Sequence, residues 1–115
     1  MNIDTLLINS GVDVTSIKKM LADKNYKELY SSYPNAIEFM CFVTSEYEFN
    51  DFISEMGEID EEALLLALAA THSLCCWFGV NEEDEMEQYK KSLNGKYTVI
   101  FNDRYQEGTY YIFPN

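Results

Sequence analysis

One histidine and three cysteines are the residues whose types could support metal binding or thiol chemistry in this chain of 115 residues. His72 precedes Cys75 by three positions and Cys76 by four, so a helix would place all three on one face. A structural zinc site usually takes four nitrogen or sulfur ligands, and the chain reaches four only by adding Cys41. No Cys-x-x-Cys pair is present. The spacing therefore predicts no metal site and no cofactor.

The cysteines are also poorly placed for nucleophilic catalysis. A reactive cysteine needs a positive or histidine-paired setting, and His72 is the only imidazole in the chain. Acidic neighbours disfavour the thiolate, which is the nucleophilic form. Because the number of cysteines is odd and their surroundings are apolar, we expect reduced, small, buried side chains in a cytoplasmic protein.

Carboxylates are so abundant that pairs of them say little about catalysis. Most lie at the predicted starts of helices, where capping and the helix dipole explain them. The five glycines are isolated from one another, so no glycine-rich phosphate loop is present. The sequence predicts no catalytic residues, and we expect a protein that is not an enzyme.

The distribution of charge is the most informative feature of the sequence. The net charge is −12, from 20 acidic and 8 basic residues. Residues 35–88 hold fourteen carboxylates and no lysine or arginine, whereas residues 1–34 are balanced. A solvated surface that favours solubility is the simplest explanation. Ordinary surfaces mix the two signs, however, and a basic partner would relieve the self-repulsion of such a run.

Carboxylates and tyrosines within or beside this acidic run are the candidate partner-binding residues. Tyrosine provides a large contact area at low entropic cost and is enriched at protein interfaces. The predicted set is Glu46, Glu48, Asp51, Glu55, Glu58, Glu82, Glu83, Asp84, Glu85, Glu87, Tyr47 and Tyr89.

The charge favours an inhibitor of a basic protein, most simply an immunity protein that neutralises a nuclease-like toxin. In size and charge the chain resembles small acidic bacterial immunity proteins, although no motif ties it to one family. One alternative is a phage-type nucleic-acid mimic that inhibits a defence protein. Another is a non-enzymatic adaptor module that binds through an apolar or tyrosine patch. The net negative charge argues against direct binding to nucleic acids or to anionic membranes.

Apolar spacing and capping residues predict a mostly helical chain. The predicted helices cover residues 3–10, 13–22, 23–33, 46–56, 61–78 and 82–94. Their predicted N-terminal caps, from the second helix onward, are Asp13 or Thr15, Asp23, Ser45, Asp60 and Asn81. Residues 36–43 are almost all apolar, so periodicity does not separate a buried helix from a buried strand. We favour a helix there.

The C-terminal residues change to aromatic and β-branched types. Residues 96–105 and 109–113 are predicted strands of a β-hairpin, with Gln106-Glu107-Gly108 as the turn. An isolated hairpin is marginally stable in water, and residues 36–43 are the one candidate for a third strand. The apolar stretch 63–80 is interrupted by polar residues, which favours a core helix over a membrane span. We expect a single α+β domain over residues 1–115, mostly helical, with four to six helices and a C-terminal antiparallel β-hairpin.

Overall fold

The computed structural model describes residues 1–105 and 107–115, and within them the chain forms seven helices and three strands. The helices are α1 Ile3–Asn9, α2 Val14–Ala22, α3 Tyr26–Ser32, α4 Pro34–Cys41, α5 Glu46–Met56, α6 Glu61–Thr71 and α7 Glu83–Ser92. The strands are β1 Cys76–Gly79, β2 Tyr97–Asn102 and β3 Thr109–Pro114, and they form one antiparallel sheet in the order β1-β3-β2.

The mostly helical α+β class fits the prediction, but the expected four to six helices were too few. The helix predicted over residues 3–10 and the helix favoured over a strand for residues 36–43 are both present. The physical reason is burial, because Leu7 of α1 and Ile37 of α4 are fully buried and both helices pack against α6. Pro34 separates α3 from α4, since it tolerates only the first turn of a helix.

The largest error concerns the end of α6, which was predicted to continue to residue 78. The helix ends at Thr71, and Ser73 adopts a left-handed conformation with φ 58°. Cys76–Gly79 then pairs with β3 instead of continuing the helix. The hairpin prediction is therefore correct for the β2–β3 pair but incomplete. The third strand comes from the predicted α6 segment and not from residues 36–43.

Local capping was predicted with mixed success. The side chains of Asp13, Ser45 and Asp60 each accept a hydrogen bond from a first-turn amide of their helix, as expected. The cap predicted at Asp23 is at Asn25, and the helix predicted to begin after Asn81 begins one residue later.

The connection between β2 and β3 is longer than the predicted three-residue turn. Strand β2 ends at Asn102 and β3 begins at Thr109. Gln106, the first residue of the predicted turn, lies outside the described residues. Gly108 has φ 136°, and a Cβ atom there would lie 2.5 Å from Cζ of Phe101. This position therefore requires glycine.

The sheet separates two apolar layers. Tyr111 and Phe113 of β3 join the main core, which is centred on α6. Ile112 has the opposite orientation because side chains alternate along a strand. It is fully buried but outside the main core, as is Met86 of α7. Helix α7 packs against β1 and so covers this second face.

Candidate partner-binding surface

One group of predicted carboxylates lies on and just after α5, and all of its members are exposed. The Ser45 hydroxyl accepts a hydrogen bond from the Glu48 amide, which starts the helix. The Glu48 carboxylate accepts bonds from the backbone amide and the hydroxyl of Thr44, at 2.8 and 3.2 Å. We call this group the α5 acidic surface: Glu46, Glu48, Asp51, Glu55 and Glu58.

The second group lies at the start of α7, and its members are also exposed. The Glu82 carboxylate accepts a 2.9 Å hydrogen bond from the Gly79 amide, which closes the turn between β1 and α7. Glu87 forms an ion pair with Lys90 at 3.1 Å. The other three carboxylates make no hydrogen bond or ion pair within the described residues. We call this group the α7 acidic surface: Glu82, Glu83, Asp84, Glu85 and Glu87.

Carboxylates across the described part of the chain are almost entirely without cationic partners. Two ion pairs are seen there, Lys18–Asp4 and Lys90–Glu87. The acidic run 35–88 contributes to only one of them, using a lysine outside the run. The other carboxylates of the α5 and α7 acidic surfaces form no ion pair within the described residues, so their negative potential can attract a cationic partner.

The two acidic surfaces belong to different layers of the fold. Helix α5 packs against α3 and α4, whereas α7 packs against β1 on the far face of the sheet. The structure thus brings the members of each group together on one element, but it separates one group from the other.

The two predicted tyrosines have different environments. Tyr47 is 75% exposed on α5, among the carboxylates of that surface. Tyr89 lies on the inner side of α7, with its ring 5.8 Å from that of Phe78. A hydrogen bond with the Cys76 side chain is the larger cause, and burial the next, of a rise in the pKa of Tyr89 to about 12. Tyr47 is therefore available to a partner, whereas Tyr89 mainly stabilises the packing of α7.

An exposed aromatic groove is the feature that sequence reasoning missed. The rings of Phe39 on α4 and Trp77 on β1 meet edge to face, with centroids 5.0 Å apart. Phe42 follows α4 and is 76% exposed, and Trp77 is 48% exposed. Both line two adjoining depressions of about 530 and 430 Å³. We call this region the aromatic groove.

Every charged side chain among the described residues that line the aromatic groove is a carboxylate. Glu38 lies on the α4 side, and Glu82 and Glu107 lie on the β1 side. The Glu38 carboxylate accepts a hydrogen bond from the Tyr30 hydroxyl at 3.3 Å. A sequence signal for this site exists in hindsight, since Glu38 is the one charge within the apolar segment 36–43.

The thiols and the histidine do not form the constellation that their sequence spacing allowed. Because α6 ends at Thr71, His72 and Cys76 do not share a helix face. Burial raises the pKa of both Cys41 and Cys75 to about 12, which is opposite to the shift that activates a nucleophile. Within residues 1–105 and 107–115, no three His, Cys, Asp or Glu side chains converge to hold a metal ion.

No protein-family model, curated protein or solved structure matches this chain significantly. None of the helices in the described residues has both the length and the apolar character needed to cross a bilayer.

Proposed function

We propose that this protein is an acidic inhibitor that binds and neutralises a basic protein, most simply a nuclease-like toxin. The observation that carries the proposal is that the carboxylates of the α5 and α7 acidic surfaces are exposed and that, within the described residues, only Glu87 among them forms an ion pair. A nuclease binds a polyanion, so its active site is cationic and attracts carboxylates. Complementary charge speeds the encounter and suppresses wrong partners. The three free cysteines fit action in the reducing cytoplasm.

The first experiment identifies the partner from its charge and then tests inhibition. Immobilised protein is exposed to native lysate, eluted with a salt gradient and analysed by mass spectrometry. We expect one dominant basic protein that elutes as salt rises, because salt screens exposed charge pairs. The purified partner is then assayed on RNA and DNA, and we expect added inhibitor to abolish nuclease activity at an equal molar ratio.

Charge-neutral substitutions test the α7 acidic surface directly. The triple variant Glu83→Gln, Asp84→Asn, Glu85→Gln removes three exposed charges while keeping side-chain size. We expect affinity for the captured partner to fall roughly tenfold, mainly through slower association. Circular dichroism checks that α7 remains folded, since these residues also favour the helix dipole.

A matched control separates local recognition from net charge. The variant Asp23→Asn, Glu28→Gln, Asp103→Asn also removes three exposed charges, but outside residues 35–88. We expect its affinity to stay near that of the original protein. Equal losses in both variants would show that only the total charge matters.

The aromatic groove favours a second candidate function, an adaptor whose affinity comes from apolar contact. Exposed aromatic rings such as Phe42 are typical anchors of protein interfaces. Capture of neutral proteins that resist elution by salt would support this function and contradict the inhibitor. A captured basic protein that binds nucleic acid in a defence complex would instead indicate the phage-type mimic.

A further inference from the structure

The outer edge of β1 lies beside the aromatic groove and offers backbone groups that are unpaired within the described residues. Strand β1 is an outer strand of the sheet, with β3 on its other side. The Gly79 amide and carbonyl both bond to Glu82 rather than to β3. Since backbone groups alternate in direction along an antiparallel strand, the Trp77 amide and carbonyl also point away from β3.

The pairing of β2 with β3 independently indicates the same orientation of the Trp77 backbone groups. The Asn115 amide bonds to the Lys96 carbonyl, so the pairs Thr98–Phe113 and Ile100–Tyr111 are the hydrogen-bonded ones. The amide and carbonyl of Tyr111 therefore bond to β2. The amide and carbonyl of Trp77, its neighbour on β1, consequently have no hydrogen-bond partner on β3. A strand added at this edge would gain two main-chain hydrogen bonds with Trp77.

The side chains around this edge are suited to binding a positively charged side chain. Aromatic faces attract lysine and arginine side chains, and the attraction grows when the contact excludes water. Phe42 and Trp77 provide such rings, and Glu38 and Glu82 add negative charge on two sides. By contrast, the third depression, of about 470 Å³ around Cys76 and Tyr89, has no charged lining residue.

We infer that the aromatic groove binds an extended, basic segment of the partner protein, which pairs with the β1 edge and seats an arginine or lysine between Phe42 and Trp77. This inference rests on the proposed function, because it names where and how the basic partner docks. The charge complementarity of the groove selects this occupant over a neutral or acidic segment.

Fluorescence of Trp77 provides a direct test, since it is the only tryptophan of the chain. The probe is a short peptide, blocked at both ends, in which valine and arginine alternate. We expect saturable fluorescence changes with this peptide and roughly tenfold weaker binding when citrulline replaces arginine. Methylation of the peptide backbone amides should weaken binding as well, because it removes the donors needed for strand addition.

Two protein variants locate the bound peptide. Phe42→Asn removes one ring and suits the left-handed backbone there, and Glu38→Gln with Glu82→Gln removes two charges while keeping acceptor oxygens. We expect each to weaken binding roughly fivefold. Ile8→Gln, which removes an exposed apolar side chain from α1, is the control with unchanged binding.

The outcomes separate this inference from the proposed function. No fluorescence change, or equal binding of the citrulline peptide, would overturn the inference about the groove. Salt-sensitive capture of a basic partner would still support the inhibitor in that case. Conversely, binding of the arginine peptide without capture of any basic protein would support the groove and count against the inhibitor.

Discussion

Phe42 combines a strained backbone with an exposed aromatic ring. Its backbone is left-handed, with φ 56° and ψ 41°, at the C-terminal end of α4. Glycine or asparagine is usual at such a position, because a β-carbon is strained there. Its ring is also 76% exposed. A large ring in a strained and solvated position is more easily explained by a contact outside the protein than by folding.

Replacing Phe42 with asparagine is therefore expected to stabilise the protein while weakening the groove. Asparagine tolerates the left-handed conformation, and little buried area is lost with the ring. We expect the free energy of unfolding to rise by about 0.5–1 kcal/mol, measured by urea denaturation. A loss of stability would mean that the ring packs against the core and is retained for folding.

Helix α6 is the element on which the fold is built. All seven residues from Ala63 to Ala69 are buried, so the helix is apolar on every side, as its sequence predicted. It contacts both α1 and α4. Its start is held by Asp60, whose carboxylate accepts a 2.9 Å bond from the Ala63 amide. The Tyr105 hydroxyl accepts a bond from the Asp60 amide, which ties the connection after β2 to this start.

Shortening a side chain at the centre of α6 should be costly. Leu68 is fully buried, and Leu68→Ala would remove packed methyl groups and leave a cavity. We expect the free energy of unfolding to fall by about 2–5 kcal/mol in urea denaturation. The exposed Glu61→Ala on the same helix serves as the control, and a similar loss in both variants would contradict the central position of α6.

The molecule as a whole keeps several weak acids buried in their neutral forms. Burial raises the pKa of Tyr111, Cys41 and Cys75 to about 12, from ordinary values of 10.0 for tyrosine and 9.0 for cysteine. Between those values the unfolded chain releases protons that the folded chain retains. Folding stability is therefore fully present below about pH 9 and falls as pH rises towards about 12.

This linkage predicts alkaline unfolding that depends on particular side chains. Urea midpoints should be level from neutral pH to about pH 9 and then decline. Tyr111→Phe should make the decline less steep, because one buried phenol no longer ionises on unfolding. The exposed Tyr47→Phe is the matched control. A slope that is the same in all three proteins would contradict the role given to Tyr111.

Local signals in the sequence determined much of the secondary structure of this protein. Side-chain caps at Asp13, Ser45 and Asp60, the apolar run of α6 and the β2–β3 hairpin follow from short-range chemistry that a sequence displays directly. The exposure of the acidic groups follows as well, because unpaired charges avoid the interior.

Contacts between distant residues were decided only by the tertiary structure. Residues 76–79 are apolar enough to continue α6, yet they pair with β3, whose paired residues lie thirty or more positions away. There they add a third strand to a hairpin that would be marginally stable on its own. The pairing of β1 with β3 also brings Trp77 beside Phe39, separates the α5 and α7 acidic surfaces, and creates the aromatic groove. Periodicity records which face of an element is apolar, but it does not record which partner covers that face.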